Sequence, residues 1–326
     1  MFDLEILTKL GDYHKKLFSL LENNLDTFES NKTIYEFIEN YIKINNLNLA
    51  FPIGISINHV IAHDSFHPLH LILLNKGDFV KIDVGFIENS NIIDSARTFE
   101  YKKDKLSEGN KENKCINDCK EIANKVEDYI RNQIESSGSV SIQKISSYSN
   151  ALIVSKGYLG LDYLGGHSIE YGKVHGRKLI LNKPLSLLPI QATQFINCDE
   201  TLGQDEMFAI EIYIGDHIAI GTMVKSTKIP PTHYQINEDI ESEKILDLKE
   251  KNIFNKIKEF THGLAYHHNV NTQFDTNIIS KLIKKNLIYV HEALEYTNPK
   301  VKFVQYEDCF IIKQNKLINL SKITSI

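Results

Sequence analysis

Residues 78–99 constrain the fold more than any other stretch of the chain. Asp78-Phe79-Val80-Lys81-Ile82-Asp83-Val84-Gly85-Phe86-Ile87 is rich in branched and aromatic residues, Glu88-Asn89-Ser90-Asn91 is polar, and Ile92-Ile93-Asp94-Ser95-Ala96 is largely apolar again. Two β-prone runs around a polar tip predict a hairpin. If the chain turns about Glu88-Asn89, Asp83 and Asp94 lie directly opposite each other, with β-carbons about 4.5–5.5 Å apart on one face. Two carboxylates so placed repel, and burial among Ile82, Val84, Ile92 and Ile93 would keep one protonated unless a cation sits between them. The bland alternative is a register shifted by one, with one aspartate facing solvent.

Two further acids share that setting. Glu211 interrupts the apolar run Phe208-Ala209-Ile210-Glu211-Ile212-Tyr213-Ile214, and Glu307 lies within Val304-Gln305-Tyr306-Glu307-Asp308-Cys309-Phe310. Either one alone is usually the solvent-facing residue of an alternating strand. Four such acids, with His167 in the turn Leu164-Gly165-Gly166-His167-Ser168, form an oxygen-rich set with one imidazole, suited to Mn, Fe, Co or Zn. Five ligands with two bridging carboxylates would hold two ions about 3.5–4 Å apart, the arrangement that activates water.

The remaining chain supplies the frame. Leu4, Leu7, Leu10, Tyr13, Leu17 and Leu21 recur at helical steps, and after a cap at Ser30-Asn31-Lys32 the pattern restarts with Ile34, Phe37, Ile38, Tyr41 and Ile42. Ala50 to Asn58 reads as strand or loop, 102–114 as an exposed polar loop, and the stretch from there to about Gln133 as a helix. Strand blocks follow at 205–227 and 301–312, with a charged, helical stretch near 236–297 between them. A net charge of −5 excludes a basic surface over the whole chain. Four cysteines (Cys115, Cys119, Cys198, Cys309) make no disulfide scaffold, and no apolar run approaches the roughly 20 residues of a membrane helix. Met1-Phe2-Asp3-Leu4-Glu5 carries acid where a signal peptide would carry Lys or Arg, so a cytoplasmic location is expected.

In order along the chain, these motifs resemble the type 2 methionine aminopeptidases. Ala50-Phe51-Pro52-Ile53-Gly54 with Asn58 and His63 is similar to the family's stretch before its first active-site histidine. Lys81-Ile82-Asp83-Val84-Gly85 and Ile92-Ile93-Asp94 resemble its metal aspartates. Gly166-His167-Ser168-Ile169 with His175 resembles its metal histidine and second catalytic histidine, and Ala209-Ile210-Glu211 and Gln305-Tyr306-Glu307 its glutamate ligands. The resemblance implies an α+β pita-bread fold. That fold is a pseudo-two-fold symmetric antiparallel sheet with helices outside, one catalytic domain over 1–326, with a small helical insertion at about 236–297.

The resemblance also implies roles. Asp94 and Glu307 would bridge two divalent ions (Mn, Co, Fe or Zn), Asp83 would hold one ion, and His167 with Glu211 the other. Glu211 would relay a proton, His63 and His175 would bind the scissile amide and its oxyanion, and Phe51, Val174 and His233 would wall the methionine pocket. The implied partners are the N-terminal methionine of nascent chains and the ribosome, with no membrane, no specific nucleic acid and a monomeric protein. Two alternatives of the same fold stay open: a non-catalytic ribosome- or RNA-associated binding protein, and a prolyl-type aminopeptidase. The sequence departs from the family at Glu170, where glycine is common, and shows no long basic N-terminal extension. His59 and His67 are expected to be structural, His267-His268 to be surface residues, and Cys115 with Cys119 to form no zinc site.

Overall fold

The hairpin forms as two ten-residue strands, β1 (Phe79–Glu88) and β2 (Asn91–Glu100), in a computed structural model that describes residues 2–103, 113–187, 200–240 and 247–323. Its tip is one residue later than the sequence suggested. Asn89 and Ser90 carry φ of 48° and 61°, so both central residues are left-handed, as a two-residue hairpin turn of matching twist requires. Glu88 therefore pairs with Asn91, Asp83 faces Ala96, and Asp94 faces Gly85. The expected direct opposition of Asp83 and Asp94 is thus displaced by two positions. Because side chains alternate with period two, a shift of two keeps both aspartates on one face as diagonal neighbours.

Three more strands carry the other donors: β3 (Gly165–Ile169), β4 (Met207–Gly215) and β5 (Phe303–Lys313). They belong to a ten-stranded antiparallel sheet in which β1, β2, β5, β4 and β3 are successive neighbours. Ala96 pairs with Glu307, Glu307 with Glu211, and His167 with Ala209. Asp83, Ala96, Glu307 and Glu211 thus form one row across four strands. Asp94 and His167 stand two residues along from that row on the same face.

Helices cover the opposite face. α1 (Leu4–Asn24) and α2 (Asn31–Ile44) bury Leu7, Leu10, Leu17, Ile34 and Ile38 against Val80, Ile82, Val84, Phe86 and Ile93. Ser30 caps α2 in a reciprocal capping box with Thr33, as its position implied. α3 (Lys114–Ser137) and α4 (Ile142–Ser155) pack on Ile210, Ile212, Val304 and Ile312. α3 runs four residues past Gln133 and stops where Gly138 turns left-handed at φ 74°. The expected loop at 102–114 falls mostly on residues 104–112, outside the described residues.

The stretch expected to be helical near 236–297 contains helices Leu248–Thr261 and Thr276–Lys284, and a three-stranded sheet as well. That sheet joins His233–Ile236, Tyr266–His267 and Ile288–His291 around a small core of Ile236, Phe254, Ile257, Tyr266, Leu282 and Ile288. His233 and His291 are paired across it and face the site. Among the described residues, no helix is long and apolar enough to cross a membrane.

Candidate metal centre

Asp83, Asp94, His167, Glu211 and Glu307 line one cavity of about 240 Å³ on the face of the sheet away from α1 to α4. Ligand atoms of Asp94, His167 and Glu307 lie within 4.8 Å of one another, and so do those of Asp83, Glu211 and Glu307. Glu307 belongs to both sets, which is the position a bridging carboxylate must occupy. His167 Nε2 is 3.5 Å from Asp94 Oδ2 and 3.9 Å from Glu307 Oε1. Glu211, expected to share an ion with His167, groups with Asp83 and Glu307 and is also close enough to His167 for their charges to act on each other. Gln305 joins Asp83 and Glu211, its amide nitrogen donating to Asp83 Oδ2 at 3.0 Å and Glu211 Oε1 at 2.7 Å. Sequence reasoning gave Gln305 no role, although its place two residues before Glu307 puts it on the same strand face.

The donor set fits divalent ions. Asp83 Oδ1 and Asp94 Oδ1 are buried with no hydrogen-bond partner, a costly state that a coordinated cation relieves. Burial raises the Asp83 carboxyl well above its ordinary range, with Asp94 and Glu211 adding to the effect. Glu307 moves the same way through burial and then the charges of Asp94, Glu211 and Asp83, and burial takes Glu211 from 4.5 to about 7. His167 is raised, because the hydrogen bond and charge of Asp94, with Glu211, outweigh its burial.

A pH dependence follows. Without metal, the folded protein holds protons on these acids that the unfolded chain releases at ordinary carboxylate pH. Stability is therefore fully present below the unfolded pKa and is lost as pH rises through the folded one, a window from 4.5 to about 7 for Glu211. The chelated protein should melt at a lower temperature at about pH 8 than at about pH 5, and added divalent metal should restore more at about pH 8. Calorimetry across that range checks it, and a chelated protein that gains stability toward alkaline pH would reverse the sign.

The cavity wall contains every other expected site residue. Phe51 packs on β1 where residue 85 has no β-carbon; one there would overlap its ring. His63 adopts a left-handed backbone at φ 61°, with its ring 5.9 Å from those of His233 and His291. Burial, with the nearby His291, lowers His63 to about 4, so its ring is neutral near pH 7. His233 is buried and held by Thr232, whose hydroxyl is 2.9 Å from its Nδ1. His175 stands exposed at the mouth, its ring 4.4 Å from that of His167, and Val174 lines the cavity beside it. Tyr163, Tyr213, Gln235 and His291 also line it and went unmarked in the sequence.

One expectation fails outright. His267 and His268 are not surface residues: His267 Nε2 lies 3.1 Å from the Phe66 carbonyl oxygen, and His268 is buried. The loop before the small sheet closes over them, which helical periodicity could not reveal. Cys115, Cys119 and Cys309 are buried free thiols. A larger cavity of about 800 Å³ lies between α1 and α3 on the helix side and contains none of the five donors.

The sequence profile of metallopeptidase family M24 matches residues 5–314. The chain belongs to that family. M24 proteins typically bind two metal ions, in keeping with the shared position of Glu307. Among curated relatives, methionine aminopeptidase 2 of Clavispora lusitaniae is 27% identical over 77% of this chain and 55% of its own length. The methionine aminopeptidase of Thermococcus onnurineus is 27% identical over 54% of this chain and 55% of its own. The chain thus spans about half the length of these M24 relatives.

Solved structures share the pita-bread fold. A thermophilic Arx1 superposes with TM-score 0.77 at 11% identity, covering 100% of this chain and 93% of its own. Methionine aminopeptidase from Rickettsia prowazekii gives 0.62 at 16% identity, covering 98% and 96%.

Proposed function

We propose that this M24 protein is a cytosolic methionine aminopeptidase that removes the N-terminal methionine from nascent chains and peptides. The observation that supports this reading is the convergence of four carboxylates and one imidazole beside His63, His175 and His233 in a single small cavity. Asp83, Asp94, His167, Glu211 and Glu307 would hold two divalent ions, whose chemistry when bound is to acidify water and polarise a carbonyl. By resemblance to the family, Glu211 would also relay a proton at the bound water. Gln305 fixes its carboxylate in place. His63 and His175 both line the cavity, where imidazole N–H groups can bind the scissile amide and its developing oxyanion. Phe51, Val174 and His233 would enclose a flexible thioether chain.

A second reading, a non-catalytic binding protein of the same fold, takes support from the closer superposition on the thermophilic Arx1. A prolyl-type aminopeptidase is the third. One assay separates them: the chelated protein is titrated with Mn, Co, Fe or Zn and offered a Met-Ala-Ser peptide and an Ala-Pro peptide. Metal-dependent release of methionine, with the Ala-Pro bond left intact, is the expected result. A metal-loaded protein that binds ribosomes and releases nothing supports the second reading.

A further inference from the structure

His233, Gln235 and His291 reach the cavity from the small inserted sheet as one patch. His233 and Gln235 are two apart on a strand and so share a face, and His291 is the direct cross-strand partner of His233. Their hydrogen bonds differ. The Thr232 hydroxyl lies 2.9 Å from His233 Nδ1, and the His233 ring also bonds to the Pro52 main chain, so the protein itself engages that imidazole. Gln235 donates from its amide nitrogen to the Gly263 carbonyl at 3.1 Å, which fixes the end of the amide that bears oxygen. That oxygen faces His291 Nε2 at 3.3 Å, so Nε2 carries the imidazole proton. Burial holds His291 below its ordinary range against the opposing charge of Glu292, so near pH 7 the ring has that proton alone. Two functions are then left on the wall: the second amide N–H of Gln235, a donor, and His291 Nδ1, an acceptor. They stand near the proposed reacting end, since the His291 ring is 5.9 Å from that of His63.

We propose that Gln235 and His291 set the specificity of this cavity for the first side chain of a peptide. They favour an unbranched chain whose δ atom bears a doubly bonded oxygen, as in glutamine and methionine sulfoxide, over a hydrocarbon chain of the same length. The inference rests on the aminopeptidase reading, in which His233 walls the pocket for that side chain, and it widens the substrate class beyond methionine. Phe51, Val174, Leu179 and Ala265 line the same cavity and suit the methylene stem. The free Gln235 N–H suits the oxygen at its end. A glutamine side chain also brings N–H groups for His291 Nδ1, so its terminus is matched twice and that of the sulfoxide once. A hydrocarbon end would strip water from both functions and replace nothing, and a site built to hydrogen-bond its ligand discriminates strongly against one that cannot. Methionine, whose sulfur is a weak acceptor, falls between.

The test uses the manganese-loaded full chain and peptides of the form Xaa-Ala-Ser, with methionine, methionine sulfoxide, glutamine or norleucine first. Release is read as kcat/KM, and calorimetry reads binding of the four free amino acids to the same protein. The expected result is a preference of at least about tenfold for glutamine and methionine sulfoxide over norleucine in both measurements, with methionine between. Gln235→Met removes the donor at nearly constant volume and should bring norleucine level with the other two. His291→Phe should weaken glutamine more than methionine sulfoxide. Norleucine equal to or ahead of both in the parent, or a preference unchanged in Gln235→Met, overturns the inference, and with methionine release intact it leaves the aminopeptidase reading standing. If no peptide is cleaved yet the amino acids bind in the expected order, the pocket assignment holds and the aminopeptidase reading falls. Binding of none of the four overturns both.

Discussion

Asp94→Ala is expected to abolish metal loading and, on the proposed aminopeptidase reading, methionine release with it. Asp94 is 3% exposed on β2, with Oδ2 facing His167 Nε2 at 3.5 Å and Oδ1 turned toward no protein group. It belongs to the donor set that includes His167, and Glu307 connects that set to the other. Alanine leaves His167 and Glu307 as the only members of the first set, too few to hold an ion there. A divalent ion supplies several kcal/mol of charge stabilisation to the reaction, and a loss of about 4 kcal/mol is roughly a thousandfold in rate. Rate and metal content by mass spectrometry should fall together, while circular dichroism stays native because the change removes a repelling charge from the core. A variant that still releases methionine at the parental rate would remove Asp94 from the mechanism.

How far such a site is legible in sequence depends on which physical rule places each residue. Asp83, Asp94, Glu211 and Glu307 each interrupt an apolar strand, and in a hairpin with a two-residue tip period-two alternation keeps Asp83 and Asp94 on one face even when the tip moves by one residue. The hairpin tip falls at Asn89-Ser90 and not at Glu88-Asn89, because a polar tetrapeptide such as Glu88-Asn89-Ser90-Asn91 admits more than one turn. The error of two positions left the faces intact. Pairing of Ala96 with Glu307 joins segments far apart in the chain, and no local rule sets that strand order. His291 and Gln235 reach the cavity from a layer whose position is set by its own small core. α4 escaped notice because Ser146 and Ser149 occupy its buried face, where periodicity would require apolar residues.

Arg97→Ala should cost about 3–5 kcal/mol of stability without touching the cavity, because it breaks a buried ion pair and leaves one charge uncompensated. Arg97 lies on the helix-side face of β2, 5% exposed, with Nη2 paired to Asp308. Its Nη1 donates to the Ala96 carbonyl at 2.9 Å and to the Glu307 carbonyl, clamping β2 to β5 at the row that carries the metal ligands. The guanidinium also lies 4.1 Å from the centre of the Tyr306 ring and 5.4 Å from that of Phe18 on α1. Asp308 would keep only Asn319 at 3.0 Å, Ser321 at 3.2 Å and a long contact to the Tyr306 hydroxyl, too little for a buried carboxylate. Denaturant unfolding reads the loss directly, and Arg97→Met with Asp308→Asn should recover much of it, since no bare charge remains. Because Arg97 touches the main chain of Glu307 and not its carboxylate, metal affinity should weaken, whereas the proposed turnover of the metal-loaded protein should hold. That split between stability and turnover is the reverse of the pattern expected for Asp94, and a variant that lost turnover at full metal occupancy would place Arg97 in the chemistry instead.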